Sequence, residues 1–263
     1  MLLFILMNRE LIQVLATAHA PAITVSKLHI RYQHHWLFNQ FDFNLQAGRC
    51  TCLLGPSGIG KTSLLRFIAG LQDDKDTECH GVITTSDGDP LSGRLAYITQ
   101  QDSLLPWLNI LDNALVGFYL RNEKITGFIK EQANDLLEKV GLKNVKKMKP
   151  SQLSCGMRQR VVLVRALIEN RQVILMDEPF SALDTITRFK LQDLAASLLV
   201  KRTVLLVTHD PLEALRLGHQ VYVINGAPAK VNHVIEPHGV VPRDFSSERL
   251  LKEQAELMKI LII

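Results

Sequence analysis

Residues 55–63 read Gly-Pro-Ser-Gly-Ile-Gly-Lys-Thr-Ser, placing three glycines, a lysine and three hydroxyl side chains within one short stretch. At Gly55, Gly58 and Gly60 the backbone is free to wrap closely around an anion, so that the loop through Pro56, Ser57 and Ile59 to Ser63 forms a concave cradle lined by the N–H groups of every residue but Pro56, which has none. The N-terminus of the helix that follows adds its positive dipole. Lys61 is placed to reach the outer phosphates of a nucleotide, and the Thr62 hydroxyl to ligate Mg²⁺. The flanks agree: Cys50-Thr51-Cys52-Leu53-Leu54 is an apolar, strand-like run, and Ser63 to Ala69 continues as a helix that Gly70 can end.

Cleaving a bound phosphoanhydride needs a second metal contact, a group that orients or deprotonates water, and a sensor of the terminal phosphate. Asp177 and Glu178 follow the apolar run Val173 to Met176. Asp177 at the strand end suits the metal, and Glu178 suits the general base. His209 ends the next apolar run, where it can bond the terminal phosphate and help position water. A second anion site is written into Leu153-Ser154-Cys155-Gly156-Met157, where Ser154 is a natural helix N-cap and Gly156 leaves its amide open. One chain already has a phosphate loop, so this second site is expected to serve the nucleotide of another subunit.

These groups need a scaffold. Short strands are expected at Ile23–Val25, Leu28–Tyr32 and Phe41–Leu45, and a hairpin over 73–93 around Val82-Ile83. Leu95–Thr99 is another strand, and 102–170 reads as mostly helical, with Phe128, Leu136, Leu137 and Val140 at helical spacing before Gly141. The runs at 173–176, 204–207 and 221–224 alternate with helical stretches, which predicts a parallel α/β sheet. Ser247 to Ile263 reads as an amphipathic helix whose stripe, Leu250, Leu251, Leu257, Met258 and Leu261, is expected to pack on its own domain.

Composition narrows the class. With 263 residues, 47% hydrophobic and 21% charged, the chain suits one large or two small globular domains. A net charge of +4 gives no strong basic stripe, so no nucleic-acid partner is expected. The lysines at 143, 146, 147 and 149 read as a solvated helix exit. Four cysteines without Cys-x-x-Cys spacing suit a reducing compartment, with Cys50 and Cys52 acting as small hydrophobes. No stretch approaches the length of a bilayer span, and the apolar start Met1 to Met7 lacks a basic leader. Residues 1–21 read as an extension, with translation starting at Met1 or Met7.

Taken in order, these motifs resemble an ATP-binding-cassette (ABC) transporter ATPase subunit over nearly all of residues 23–235. Gly55 to Thr62 resembles the Walker A loop. Asp177 and Glu178 resemble the Walker B aspartate and catalytic glutamate, Leu153–Met157 the family signature, Ser181-Ala182-Leu183-Asp184 the D-loop and His209 the switch histidine. The resemblance makes Gln100 the glutamine that contacts Mg²⁺ and faces the membrane partner. It makes Tyr32, or alternatively Trp36, the aromatic that stacks on adenine. It implies a P-loop NTPase (RecA-like) α/β core with a parallel sheet, an antiparallel β subdomain and an inserted helical subdomain. The ATP-binding domain would span 22–235, its helical part about 102–165, with a C-terminal helical extension over 236–263.

It further implies ATP and Mg²⁺ as cofactors and a head-to-tail homodimer, each nucleotide held by Gly55–Ser63 of one chain and by Ser154 and Gly156 of the other. Membrane-embedded permease subunits would dock near Leu104-Leu105-Pro106-Trp107, on the cytoplasmic face of the inner membrane, with a periplasmic or lipid-anchored solute-binding protein outside. The stretches Gln100–Trp107 and Met157–Arg160 and the tail Pro242-Arg243-Asp244 are similar to the importer branch for nitrate, sulfonates, taurine and thiamine pyrimidine precursors. Within it the chain is most similar to subunits for hydroxymethylpyrimidine-type precursors. Soluble cassettes of translation or repair stand as the remote alternative. They carry two cassettes or a long coiled coil, whereas the gap from Lys61 to Leu153 is that of an ordinary helical insertion. One departure is Cys155, where the family usually has Gly. The amide survives, but the thiol predicts hydrolysis sensitive to oxidation.

Overall fold

The computed structural model describes residues 20–72 and 77–262. Expectations for residues 1–19, including the choice of start, lie outside the described residues. The centre of the molecule is a six-stranded sheet in the order β5-β6-β7-β3-β8-β9. Its members are β3 (Cys50–Leu54), β5 (Leu95–Ile98), β6 (Val173–Asp177), β7 (Thr203–Thr208), β8 (Gln220–Asn225) and β9 (Lys230–Ile235). The first five in that order run parallel, and β9 closes the edge antiparallel to β8. The five residues of β6 and the six of β7 are all buried. This explains their apolar runs, Val173 to Met176 and Val204 to Val207, because a parallel sheet covered on both faces has no polar side.

The pleat divides these strands between two cores. Cys52, Leu54, Ile174, Met176, Val204 and Leu206 face one layer, packed by α4 (Gly127–Lys139), α5 (Cys155–Ile168) and α6 (Thr185–Leu198). Leu53, Val173, Leu175, Leu205 and Val207 face the other, where they meet α1 (Lys61–Ala69) and a second sheet. That sheet is antiparallel, in the order β2-β1-β4, from β1 (Ile23–Tyr32), β2 (His35–Leu45) and β4 (Thr77–Thr85).

Two expectations change here. Ile23–Val25 and Leu28–Tyr32 are one strand, not two. Lys27 takes a positive φ of 49°, its amide donating to Asp42 Oδ1 at 2.8 Å, and this bulge shifts the register without ending the pairing. The stretch around Val82-Ile83 is likewise a single strand, not a hairpin, because its partner is β1 more than fifty residues earlier.

Along the chain, between β5 and α5, come α2 (Ile110–Ala114), α3 (Val116–Leu120) and α4. In α4, Leu137 is buried and Val140 follows it into the core, but Phe128 is exposed. The tail ends in α8 (Glu248–Ile262), preceded by α7 (Pro211–Leu217). Leu250 and Leu257, seven residues apart, are the stripe positions that bury, while Leu251 and Met258 stay about half exposed. Arg243, itself buried, ties the tail down by donating to the carbonyls of Leu215, Gly218, Pro237 and His238. Among the described residues, no helix is long and apolar enough to cross a membrane.

Candidate functional site

The carboxyl ends of β3, β6 and β7 lie side by side, and the chemistry-bearing residues leave the sheet there, as ligand sites in open α/β folds do. After β3 the chain turns through Gly55 to Gly60 into α1. Gly60 has φ 106°, and a Cβ on it would lie 2.8 Å from the Phe38 ring. A Cβ on Gly55 would lie 2.7 Å from the Ile224 carbonyl oxygen. Packing therefore requires glycine at both, and the loop is clamped between β2 and β8. Pro56, Ser57 and Gly58 are exposed, whereas Ile59 and Ser63 are half-buried.

Lys61 spans the loop, donating from Nζ to the carbonyls of Gly55 at 2.7 Å and Pro56 at 2.9 Å. Burial pushes its pKa down, opposed by the nearby carboxylates of Glu178 and Asp177. One residue on, Thr62 Oγ1 donates to Asp177 Oδ2 at 2.8 Å. Asp177 is almost fully buried, and burial raises its pKa, with the Glu178 charge adding and the Thr62 bond opposing. A hydroxyl and a carboxylate in contact beside an ammonium form a hard oxygen donor set that suits Mg²⁺.

Glu178 continues β6 by one residue. Its amide donates to the Val207 carbonyl at 2.9 Å, and its φ is 49°, uncommon for a residue with a side chain. Its carbonyl accepts from Ser181 Oγ at 3.0 Å, the Ser181 amide at 3.3 Å and Gln159 Nε2 at 3.2 Å. This over-determination holds the left-handed turn. The turn carries Glu178 Oε1 to within 3.1 Å of His209 Nδ1 at the end of β7, the adjacent strand. Both line a cleft of about 200 Å³ with Ser181, Arg188 and Asp210. Water there would meet a carboxylate and an imidazole at hydrogen-bond range, the arrangement needed for general base chemistry.

Glu213 of α7 also lines this cleft. It is buried, its Oε2 accepting from Gln192 Nε2 at 3.3 Å and its Oε1 without a partner. Arg216 Nη1 donates to Gln192 Oε1 at 2.8 Å, which turns the Gln192 amide nitrogen toward Glu213. Burial and the neighbouring Asp210 push the Glu213 pKa up to about 8. Gln159, Arg188 and Glu213 carry no motif signal, because their partners are named only by the fold. Gln159 lies two residues beyond the signature, in the Met157–Arg160 stretch, which gives it no role of its own.

The remaining candidates are not all brought together. Ser154 caps α5, accepting from the Met157 amide at 3.3 Å, and both it and Cys155 are exposed. Gly156 packs on the Ser181–Asp184 turn, where an added Cβ would meet the Ala182 carbonyl oxygen at 3.2 Å. Among the described residues no hydrogen bond joins Ser154, Cys155 or Gly156 to the 55–63 loop. Gln100 is exposed just beyond β5 and makes no hydrogen bond to Thr62 or Asp177. Tyr32 is half-exposed at the tip of the β1–β2 hairpin, opposite His35. The Trp36 ring is already engaged, with the Arg31 guanidinium 5.2 Å over its face and His29 at its edge.

Comparison with known proteins agrees with this geometry. The ABC transporter family model matches residues 38–181. An uncharacterized ABC transporter ATP-binding protein of Haemophilus influenzae is 38% identical over 90% of this chain and 97% of its own length. The aliphatic sulfonates import ATP-binding protein SsuB 2 of Pseudomonas syringae pv. tomato is 37% identical over 85% of this chain and 91% of its own. SsuB 1 of Rhodococcus jostii is 43% identical over 74% of this chain and 75% of its own. Among solved structures, a dimeric ATP-binding cassette in a post-hydrolysis state with ADP and Pi superposes with a TM-score of 0.71 at 26% identity, covering 83% of this chain and all of that one. Sequence, fold and cleft thus lead to one assignment: the chain belongs to the ABC transporter family and is an ATP-binding, ATP-hydrolysing subunit on a P-loop NTPase fold.

Proposed function

We propose that the chain energises import of an aliphatic sulfonate as the ATPase subunit of a bacterial ABC importer. The observation that carries the substrate is the naming of its relatives, several of which are called aliphatic sulfonates import ATP-binding proteins. The expectation of a hydroxymethylpyrimidine-type thiamine precursor finds no support among them, and nitrate and taurine stand behind sulfonate for the same reason.

In this reading the amides of Gly55–Ser63 and the Lys61 ammonium hold the ATP phosphates, and Thr62 and Asp177 hold Mg²⁺, which when bound neutralises developing charge on the phosphates. Glu178 accepts the proton of the attacking water, while His209, within 3.1 Å of it, orients that water and reads the terminal phosphate. Gln100, exposed between the nucleotide loop and the helical region, completes the metal shell only after moving inward. Tyr32, whose ring is freer than that of Trp36, stacks on adenine.

A second copy supplies Ser154, Cys155 and Gly156 to the same nucleotide. Their exposure and their separation from the chain's own loop favour this, as does the dimeric state of the matching cassette. The permease docks near Trp107, which is 67% exposed, with Tyr119 and Leu120 also in solvent. The subunit then sits peripherally on the cytoplasmic face of the inner membrane, and a solute-binding protein delivers cargo from outside.

The test is uptake of labelled ethanesulfonate, taurine and hydroxymethylpyrimidine in cells carrying the parent chain or Glu178→Gln. Loss of ethanesulfonate uptake alone in the variant is expected. Unchanged ethanesulfonate uptake with loss of another solute overturns the substrate and keeps the ATPase.

A further inference from the structure

A cavity of about 530 Å³ runs from Gly48, Arg49 and Val204, at the amino-terminal ends of β3 and β7, to Met176 and Phe180, at and just beyond the carboxyl end of β6. Its size falls within the range of small-molecule sites. Met176, Phe180 and Leu206 line its interior, and Ala196, Leu199 and Val241 its sides. Arg49, Lys201 and His219 also line it, and no acidic residue does among the described residues. Arg49 and Lys201 are exposed, so they stand at the mouth, where Val200 and Val240 also remain in solvent, 58% and 87% exposed.

The walls are held in shape. Gly48 donates its amide to Thr203 Oγ1 at 3.0 Å, and the His219 amide donates to the Cys50 carbonyl at 2.7 Å. Arg243 pins the segment carrying Val241 through its four carbonyl contacts. His219 Nδ1 accepts from the Cys50 amide at 3.1 Å, which puts the proton of the neutral ring on Nε2 as a free donor. Burial and the positive charges of Arg49 and Arg243 push the His219 pKa down, so the ring is neutral at pH 7 within a positive local field.

An apolar interior below two exposed cations and one neutral donor selects an occupant with an alkyl tail and an anionic head. We propose that this cavity binds an amphipathic anion, its tail against Met176, Phe180 and Leu206 and its head between Arg49 and Lys201. The shared chemistry is that of an alkanesulfonate or an alkanoate. The first would be imported cargo, on the reading proposed above, and the second a membrane-derived acid. Met176 directly precedes Asp177, and Phe180 lies two residues beyond Glu178, so an occupant rests on the segment that carries both carboxylates.

The test is calorimetric titration of the full-length chain with octane-1-sulfonate, octanoate and the neutral octyl glucoside, with shorter alkanesulfonates as a length series. Binding of an octyl anion at least tenfold tighter than the glucoside is expected, rising about threefold to fourfold per methylene. The tighter of the two anions identifies the source. Ala196→Trp should abolish binding by filling the cavity. Arg49→Glu with Lys201→Glu, both at exposed positions, should remove the preference for the anion while leaving weak glucoside binding. Equal affinity for anion and glucoside, a flat length series, or binding unaffected by both variants overturns the proposal. Sulfonate uptake is measured separately, so failure of the cavity and failure of the import reading give different results.

Discussion

Glu213→Gln changes one oxygen for a nitrogen and removes an ionisable group from the interior, and the consequence for stability follows from the site. In the unfolded chain the carboxyl titrates near 4.5, whereas burial and Asp210 hold it near 8 in the folded protein, against the weaker pull of Thr208, Arg188 and Gln192. A folded pKa above the unfolded one means that the native state binds the extra proton. Its contribution is fully present below about pH 4.5 and is lost as pH rises through about 8. At 1.36 kcal/mol per unit the parent loses about 3 kcal/mol by pH 7 and about 5 kcal/mol above pH 8 from this group alone. Glutamine cannot ionise, and it keeps an oxygen that can accept from Gln192 Nε2. Urea unfolding of parent and variant at pH 5, 6, 7, 8 and 9 should therefore show the stability difference moving in the variant's favour with rising pH, then levelling off. A difference that stays constant across the range refutes the reasoning, because it would mean that Glu213 is ionised in both states.

The nucleotide site yields four more expectations. Lys61→Ala removes a charge-assisted donor worth about 1.5–3 kcal/mol, so ATP affinity measured with a fluorescent analogue should fall roughly tenfold to a hundredfold. Glu178→Gln should cut ATP turnover about a hundredfold or more while ATP still binds, and gel filtration with ATP should show a persistent dimer; rapid turnover by this variant would remove Glu178 as base. Gly60→Ala forces a side chain into a φ of 106° and into the Phe38 ring, so its unfolding free energy should drop by about 2–3 kcal/mol even without nucleotide. Cys155→Gly should match the parent under reducing conditions and outlast it in mild peroxide; equal loss of turnover in both would exclude the thiol as the sensitive group.

The parts of the site legible in the sequence are those whose physics is local. Gly55 to Thr62 must wrap a phosphate with its own backbone, and Asp177, Glu178 and His209 sit directly after apolar runs, so type and position are readable together. What the sequence does not carry is the identity of distant partners. Nothing near Lys27 says that Asp42 will absorb a bulge and keep β1 whole, and nothing near Val82 names β1 as its neighbour. The cluster of Gln192, Glu213 and Arg216 is similarly hidden, because α6 and α7 meet only once β6 and β7 are paired. The C-terminal helix shows the limit of periodicity: the stripe was visible, but which of its residues would be covered depended on where Arg243 fixed the tail.

The left-handed backbone at Glu178 also constrains how a lineage of such subunits could lose hydrolysis by drift. A β-branched replacement would lose the carboxylate and strain the turn, endangering folding as well as turnover. Asparagine, aspartate or glycine tolerates a φ of 49°, so these residues let a chain fall silent while it still folds and assembles. Among descendants of this sequence, inactive copies that still fold should therefore carry glutamine, a small polar residue or glycine at position 178 more often than valine or isoleucine.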